Sequence, residues 1–307
     1  MEGRRKSVAT GPQGWALKHP ESQQKYIRTM KKMRRSRVLA QLRQGKVASC
    51  TKLNISDPRV AEIAAMSGVD CVWTCQEHVA NTIIDVENQV RACKIYDVDM
   101  MVRVQRGSYS DLICPLEVDA TGIMIPHVMS AADARQVARW TRFHPVGRRP
   151  LDGGNADGGY CQVPGPEYLR EANRERFVII QIEDPEPMEE LEEIASVEGI
   201  DMLFFGPADY AHALGIPFQF DHPAISEARR RIVDAAGRNG KFAGTTASPE
   251  TLQTLVDEGF RFLNISADVL ILTEGFAKVA EAFRQAKLGK SKTSRASCDA
   301  CGGDGPL

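Results

Sequence analysis

From residue 47 to residue 267 the chain repeats one pattern: a short apolar run, a turn, an amphipathic stretch, and then another apolar run. Eight runs read as strands: 47–54 "VASCTKLN", 69–75 "VDCVWTC", 100–105 "MMVRVQ", 122–128 "GIMIPHV", 177–183 "FVIIQIE", 200–206 "IDMLFFG", 241–246 "KFAGTT" and 261–267 "RFLNISA". Helical patterns fall at 57–66, 82–96, 130–142, 186–197, 222–239 and 248–258, with 109–117 a weaker case. Regular strand–helix alternation implies a parallel sheet, since parallel strands need a crossover between them. Eight such units in about 250 residues fit a (β/α)8 TIM barrel. The competing doubly wound sheet opens with a glycine-rich phosphate turn. Here the first strand runs into "TKLNISDP", without a glycine cluster. The barrel is therefore the expected fold.

The run "FVIIQIEDPEPMEE" at 177–190 raises a question about its own end. Side chains alternate faces along a strand. Gln181 and Glu183 share a face with Phe177 and Ile179, whereas Val178, Ile180 and Ile182 share the other. A carboxylate on the inward face of a buried strand belongs at the mouth of something. In a barrel that mouth is the carboxyl end of the strands, where the chemistry lies.

Composition narrows the classes. Apolar residues make up 43 % and charged residues 26 % of 307 residues, with a net charge of −1. That is ordinary for a globular protein. No stretch reaches the ~20 apolar residues of a membrane span, and "MEGRRKSVATGPQGW" lacks a signal-peptide core. A cytoplasmic protein is expected. Six of the eight cysteines (Cys50, Cys71, Cys75, Cys93, Cys114 and Cys161) read as small buried hydrophobes. Cys298 and Cys301 have CxxC spacing, but no second pair stands nearby to complete a zinc site.

Three segments are expected: a basic arm at 1–46, a catalytic barrel at 47–287 and a polar, disordered tail at 288–307. The arm carries "KKMRRSR" at 31–37. Without an aromatic platform or a nucleic-acid motif it reads as a helical arm on an acidic neighbour, such as a sister subunit, not as a nucleic-acid binder. The connection 143–176 holds six glycines and four prolines and reads as a long functional loop. The stretch 268–287 reads as the eighth helix or as an arm exchanged with a neighbour.

The strand ends collect polar residues: Cys75-Gln76-Glu77-His78, Arg103, Pro126-His127, Gln181 with Glu183 and Asp184, and Gly206-Pro207-Ala208-Asp209. Together they describe a pocket with carboxylates, a cation and a base. Glu183 and Asp209 offer hard oxygen ligands that suit Mg²⁺ or Mn²⁺. The amides of the "GPAD" turn open a helix and can receive an anion.

"QIED", "GPAD", "EHV" around His78 and "MVRV" around Arg103 resemble the HpcH/HpaI family, metal-dependent class II pyruvate aldolases of the phosphoenolpyruvate/pyruvate barrel superfamily. The resemblance covers about residues 47–285. It implies a lyase that cleaves a 4-hydroxy-2-oxo acid to pyruvate and an aldehyde through a metal-bound enolate. The implied cofactor is Mg²⁺ or Mn²⁺, with Co²⁺ a further candidate. A homohexamer with sites at subunit interfaces is implied too. By this resemblance Glu183 and Asp209 hold the metal, Gln181 lies beside it, Arg103 faces the enolate oxygen and His78 is the base. Glu117 in "PLEVDATG" matches an acidic partner of that histidine from a neighbouring subunit, where the family usually has Asp. Arg149 in "GRRP" matches a loop arginine, and Gly206, Pro207 and Ala208 hold the substrate carboxylate.

The chain departs from the pattern at Cys75, where the family usually has Asp. His127 in "IPHV" stands where an apolar residue is common and resembles macrophomate synthase, a fungal relative. It is expected to contact substrate. Oxaloacetate decarboxylation through the same enolate is the close alternative. A non-catalytic subunit binding metal and keto acid is the alternative from another class, and the intact Glu183, Asp209, Arg103 and His78 argue against it.

Overall fold

The computed structural model describes residues 32–286. Residues 1–31, the tail at 288–307 and the Cys298–Cys301 pair lie outside them. Eight strands close into a parallel barrel in sequence order. They are β1 (Ala48–Lys52), β2 (Cys71–Cys75), β3 (Asp99–Arg103), β4 (Gly122–Ile125), β5 (Phe177–Ile182), β6 (Met202–Phe205), β7 (Phe242–Ala247) and β8 (Phe262–Ala267). All eight expected strands form, most of them slightly shorter than the apolar run, while β7 keeps its length and is shifted by one residue.

Alternation sorts the side chains into two layers. Val72, Val102, Ile123, Val178, Ile180, Ile182, Leu203 and Phe205 face the helices and form the outer core. Trp73, Met101, Met124, Phe177, Ile179, Met202, Phe204 and Phe262 fill the barrel itself. Phe204 meets both Trp73 and Phe262 edge-on, with ring centroids 5.8 and 6.3 Å apart. Filling this interior requires Gly122, because a Cβ there would stand 1.8 Å from the Phe177 ring.

The described end of the basic segment serves its own barrel. Helix α1 (Arg37–Arg43) buries Val38, Leu39 and Leu42 against the interior residues. The Ser36 side chain caps it, accepting from the Leu39 amide at 3.0 Å and donating to Asp99 at 2.7 Å. Asp99 also accepts from the Val38 amide and from Arg34, both at 2.9 Å. Arg37 pairs with Asp70 at 2.9 Å and Arg43 with Glu175 at 3.3 Å. The acidic neighbour of these arginines is thus the chain's own barrel.

The helices α2 (Pro58–Met66), α3 (Ile83–Ile95), α4 (Tyr109–Glu117) and α5 (Ala131–Thr141) match the periodic stretches. The long connection differs from expectation, because it contains α6 (Gly165–Glu175). Tyr168, Ala172 and Glu175 are its buried side chains, spaced four and three apart. The stretch 186–197 divides into a single 3-10 turn (Glu186–Met188) and α7 (Leu191–Ser196). Next come α8 (Pro207–Ala213), α9 (Pro223–Arg238) and α10 (Leu252–Glu258). The last is short because Ser248 and Thr251 bond to each other in a turn before it. The final helix, α11 (Asp268–Gln285), exposes Leu270, Ile271, Phe276, Val279 and Phe283 along its length. Four of the six described cysteines are buried as expected, but Cys114 is exposed and Cys161 half-buried. No described helix is long and apolar enough to cross a membrane.

Leu39 is 2 % exposed at the centre of the α1 contact. Leu39→Ala is expected to destabilise the protein by about 2–5 kcal/mol, the usual cost of emptying such a site. Urea denaturation followed by tryptophan fluorescence measures it, and an unchanged midpoint would show that α1 does not seal the barrel.

Candidate active site

The inward faces of the strands turn polar at one level, at their carboxyl ends. Cys75 and Arg103 are register partners on β2 and β3. The Trp73 ring lies below them as a floor, with the Arg103 guanidinium 5.2 Å and the Lys52 ammonium 5.3 Å from its centroid. Arg103 is only 5 % exposed. Its Nε donates to the Cys75 thiol at 3.3 Å, and its terminal nitrogen donates to His78 Nδ1 at 2.5 Å. Arginine cannot accept a hydrogen bond, so Nδ1 is the acceptor here. Glu77 Oε2 lies 2.9 Å from Arg103 Nε and 3.3 Å from His78 Nδ1. The charges pair, but the Arg103 N–H points to sulfur, and Glu77 Oε2 stays buried without a hydrogen bond.

Across the mouth, Glu183 is 1 % exposed. One oxygen accepts the His127 amide at 3.0 Å, and the other accepts the Gln181 side-chain amide. Gly206 packs against both. A Cβ on it would lie 2.8 Å from Glu183 Oε2 and 3.0 Å from the Gln181 amide nitrogen, so only glycine fits. Burial pushes the Glu183 carboxyl up to about 7. The His127 amide and ring pull it down, and the charge of Asp209 pushes it up again. His127 has a positive φ of 48° and bonds Asp184 through Nδ1 at 2.8 Å. Burial lowers its pKa, but Asp184, Glu183 and Glu77 outweigh that and hold it raised.

The oxygen-rich donor set fits a divalent cation. Glu183 is a buried carboxylate, and Glu77 Oε2 and Gln181 Oε1 are buried acceptors without a donor. Among the described residues, Glu77, His127 and Glu183 bring ligand atoms within 4.8 Å of one another. Asp209 stands exposed in the first turn of α8, close enough to act on the Glu183 charge.

The structure thus gathers His78, Arg103, His127, Gln181, Glu183 and Gly206 at one mouth, with Pro207, Ala208 and Asp209 following in the same turn. Glu117 and Arg149 are gathered elsewhere. Arg149 donates to Glu117 at 2.6 Å and to Asp157 at 2.8 Å. Its side chain is 1 % exposed and stacks on Phe143. The other Glu117 oxygen accepts from Asn155 at 2.7 Å. Within this chain Arg149 is buried and anchors the loop through Glu117 and Asp157. Whereas the expected approach of Glu117 is from a neighbouring subunit, the carboxylate beside His78 within this one chain is Glu77. Its spacing of two from Cys75 was the available signal. Lys52 was also missed, although it ends the first strand.

The barrel that carries these residues at its strand ends matches the HpcH/HpaI aldolase/citrate lyase family over residues 53–274. The chain belongs to the HpcH/HpaI aldolase/citrate lyase family. Membership makes it a carbon–carbon lyase. Among curated members, the 2-keto-3-deoxy-L-rhamnonate aldolase of Shigella sonnei (strain Ss046) is 32 % identical over 254 residues, covering 81 % of this chain and 93 % of that one. The crystal structure of an HpcH/HpaI aldolase from Desulfitobacterium hafniense DCB-2 superposes with a TM-score of 0.76 at 29 % identity, covering 81 % of this chain and 97 % of that one. Macrophomate synthase shares the fold, with a TM-score of 0.71 at 24 % identity over 84 % of this chain and 92 % of its own.

The Glu183 shift has a consequence for this HpcH/HpaI member without its metal. At pH 4 or below, Glu183 is protonated in both folded and unfolded chains and costs nothing. As pH rises, the unfolded chain releases its proton first, so the penalty on the folded state grows until pH passes about 7 and stays at its full value above that. The loss across that window is at most about 3 kcal/mol. Glu183→Gln should therefore melt higher than the wild type at pH 8 in EDTA, and close to it at pH 4.5. Equal melting temperatures at pH 8 would show that no buried charge is being carried there.

Proposed function

We propose that this lyase cleaves a 4-hydroxy-2-oxo acid to pyruvate and an aldehyde, and joins them in reverse. The observation that carries this reading is Arg103, held on the Trp73 floor between Cys75, Glu77 and His78 and opposite the buried Glu183. Breaking the C3–C4 bond sends an electron pair towards the keto oxygen. A fixed guanidinium stabilises that charge where it develops. Turning Arg103 to the oxygen also frees His78 Nδ1, whose lone pair it occupies in this structure. His78 can then take the 4-hydroxyl proton in cleavage, or a methyl proton of pyruvate in the reverse direction. Glu77, 3.3 Å away, is placed to stabilise the imidazolium that results.

Glu183 and Asp209 are the proposed metal ligands, with Gln181 beside them. A divalent cation, Mg²⁺ or Mn²⁺, supplies a Lewis acid for the keto oxygen when bound. The substrate carboxylate is assigned to the turn Gly206-Pro207-Ala208. A homohexamer with sites near subunit interfaces is part of the same proposal. Oxaloacetate decarboxylation is the second reading, favoured by Cys75 at a position that carries no carboxylate.

Proton NMR of pyruvate in D₂O tests the proposal. With Mn²⁺ or Mg²⁺ the methyl signal should disappear by exchange, and EDTA should stop it. Absence of exchange with oxaloacetate still decarboxylated would favour the second reading, and absence of both would favour a binding subunit. Arg103→Ala is expected to slow exchange by about 10²–10³-fold, the usual effect of removing one such donor. An unchanged rate would remove Arg103 from the chemistry.

A further inference from the structure

We propose that His127 is a metal ligand, its Nε2 joining Glu183, Asp209 and Glu77 Oε1 in a mixed nitrogen–oxygen site that selects a transition ion over Mg²⁺. The inference rests on the reading above that a divalent ion sits at Glu183.

Four observations carry it. His127 Nδ1 is bonded to Asp184 at 2.8 Å. A carboxylate only accepts, so Nδ1 keeps its proton and a lone pair is left for Nε2. A carboxylate behind the distal nitrogen is the arrangement that orients metal-bound imidazoles and strengthens them as ligands. Second, Nε2 faces two carboxylates, lying 3.8 Å from Glu77 Oε1 and 3.8 Å from Glu183 Oε1. Donors about 2.0–2.2 Å from a shared ion stand roughly 3–4 Å from one another. Third, the backbone at His127 is held at φ 48°, a conformation that side chains beyond Cβ disfavour. That bend directly follows β4 and Pro126 and brings the amide to Glu183 at 3.0 Å. Fourth, Gln181 Oε1 is buried without a donor, and its side-chain amide is bonded to Glu183. A buried acceptor without a partner is costly, and a cation at Glu183 would supply one.

The nitrogen changes which ion the site prefers. Mg²⁺ takes oxygen ligands and holds its waters, whereas imidazole suits Mn²⁺, Co²⁺ and Zn²⁺ increasingly well. Glu183, Asp209, Glu77 and His127 leave positions open for a 2-oxo acid.

The test uses the full chain, stripped with EDTA and loaded with Mn²⁺ or Co²⁺. Pulsed EPR of the Mn²⁺ form should show directly bound nitrogen, which His127→Asn abolishes and His78→Asn leaves in place. By calorimetry, His127→Asn should weaken Co²⁺ binding more than about tenfold and Mg²⁺ binding less than about twofold. Asp184→Asn should keep the nitrogen signal and lower Co²⁺ affinity by roughly 10-fold. Mn²⁺ bound at Glu183 without nitrogen coupling in the wild type would overturn the inference, whatever the variants do. Coupling that survives His127→Asn and vanishes in His78→Asn would overturn it too. Mn²⁺ binding that is absent, or that Glu183→Gln leaves unchanged, would instead remove the metal reading on which the inference rests.

Discussion

One buried carboxylate organises the mouth of this barrel. Glu183 sits almost without solvent at the end of a strand whose inward face begins with Phe177 and Ile179. A charge there is costly unless its surroundings answer it. The His127 amide, the Gln181 side chain and the missing Cβ of Gly206 all respond to it. The positive φ of His127 is what brings its amide within reach. These features are local oddities when taken singly and become one device once Glu183 is placed at their centre.

The same economy runs through β3. Its five residues send Asp99, Met101 and Arg103 into the barrel. Asp99 collects the cap of α1 at one end, and Arg103 arranges Cys75 and His78 at the other. Met101 keeps the two charges apart inside an apolar interior. Sealing the barrel and arming its mouth are therefore tasks of a single strand, separated by one side chain.

Much of this was legible in the sequence. A period of two placed Gln181 and Glu183 beside Phe177, and strand–helix alternation placed His78, Arg103 and Gly206 at carboxyl ends of strands of one barrel. What escaped had physical reasons. Pro164 and Gly165 at the start of α6 disguise a helix whose buried residues are few. Glu117 and Arg149 are 32 positions apart, and only the folded loop brings them together. Nothing in "IPHV" announces a positive φ, because that bend is imposed by tertiary contacts at Glu183. Glu77 was hidden in plain view, since adjacency to His78 does not reveal which carboxylate the histidine meets.

The Trp73 floor has an electrical consequence. Below the indole lies an interior of Phe, Met and Ile side chains, and on top of it rest the cations of Lys52 and Arg103. A low-dielectric wall beneath two positive charges leaves little to screen them from the carboxylate beside them, Glu77 at 2.9 Å from Arg103. The ring that closes the core thus also strengthens the ion pair that holds Arg103 in place.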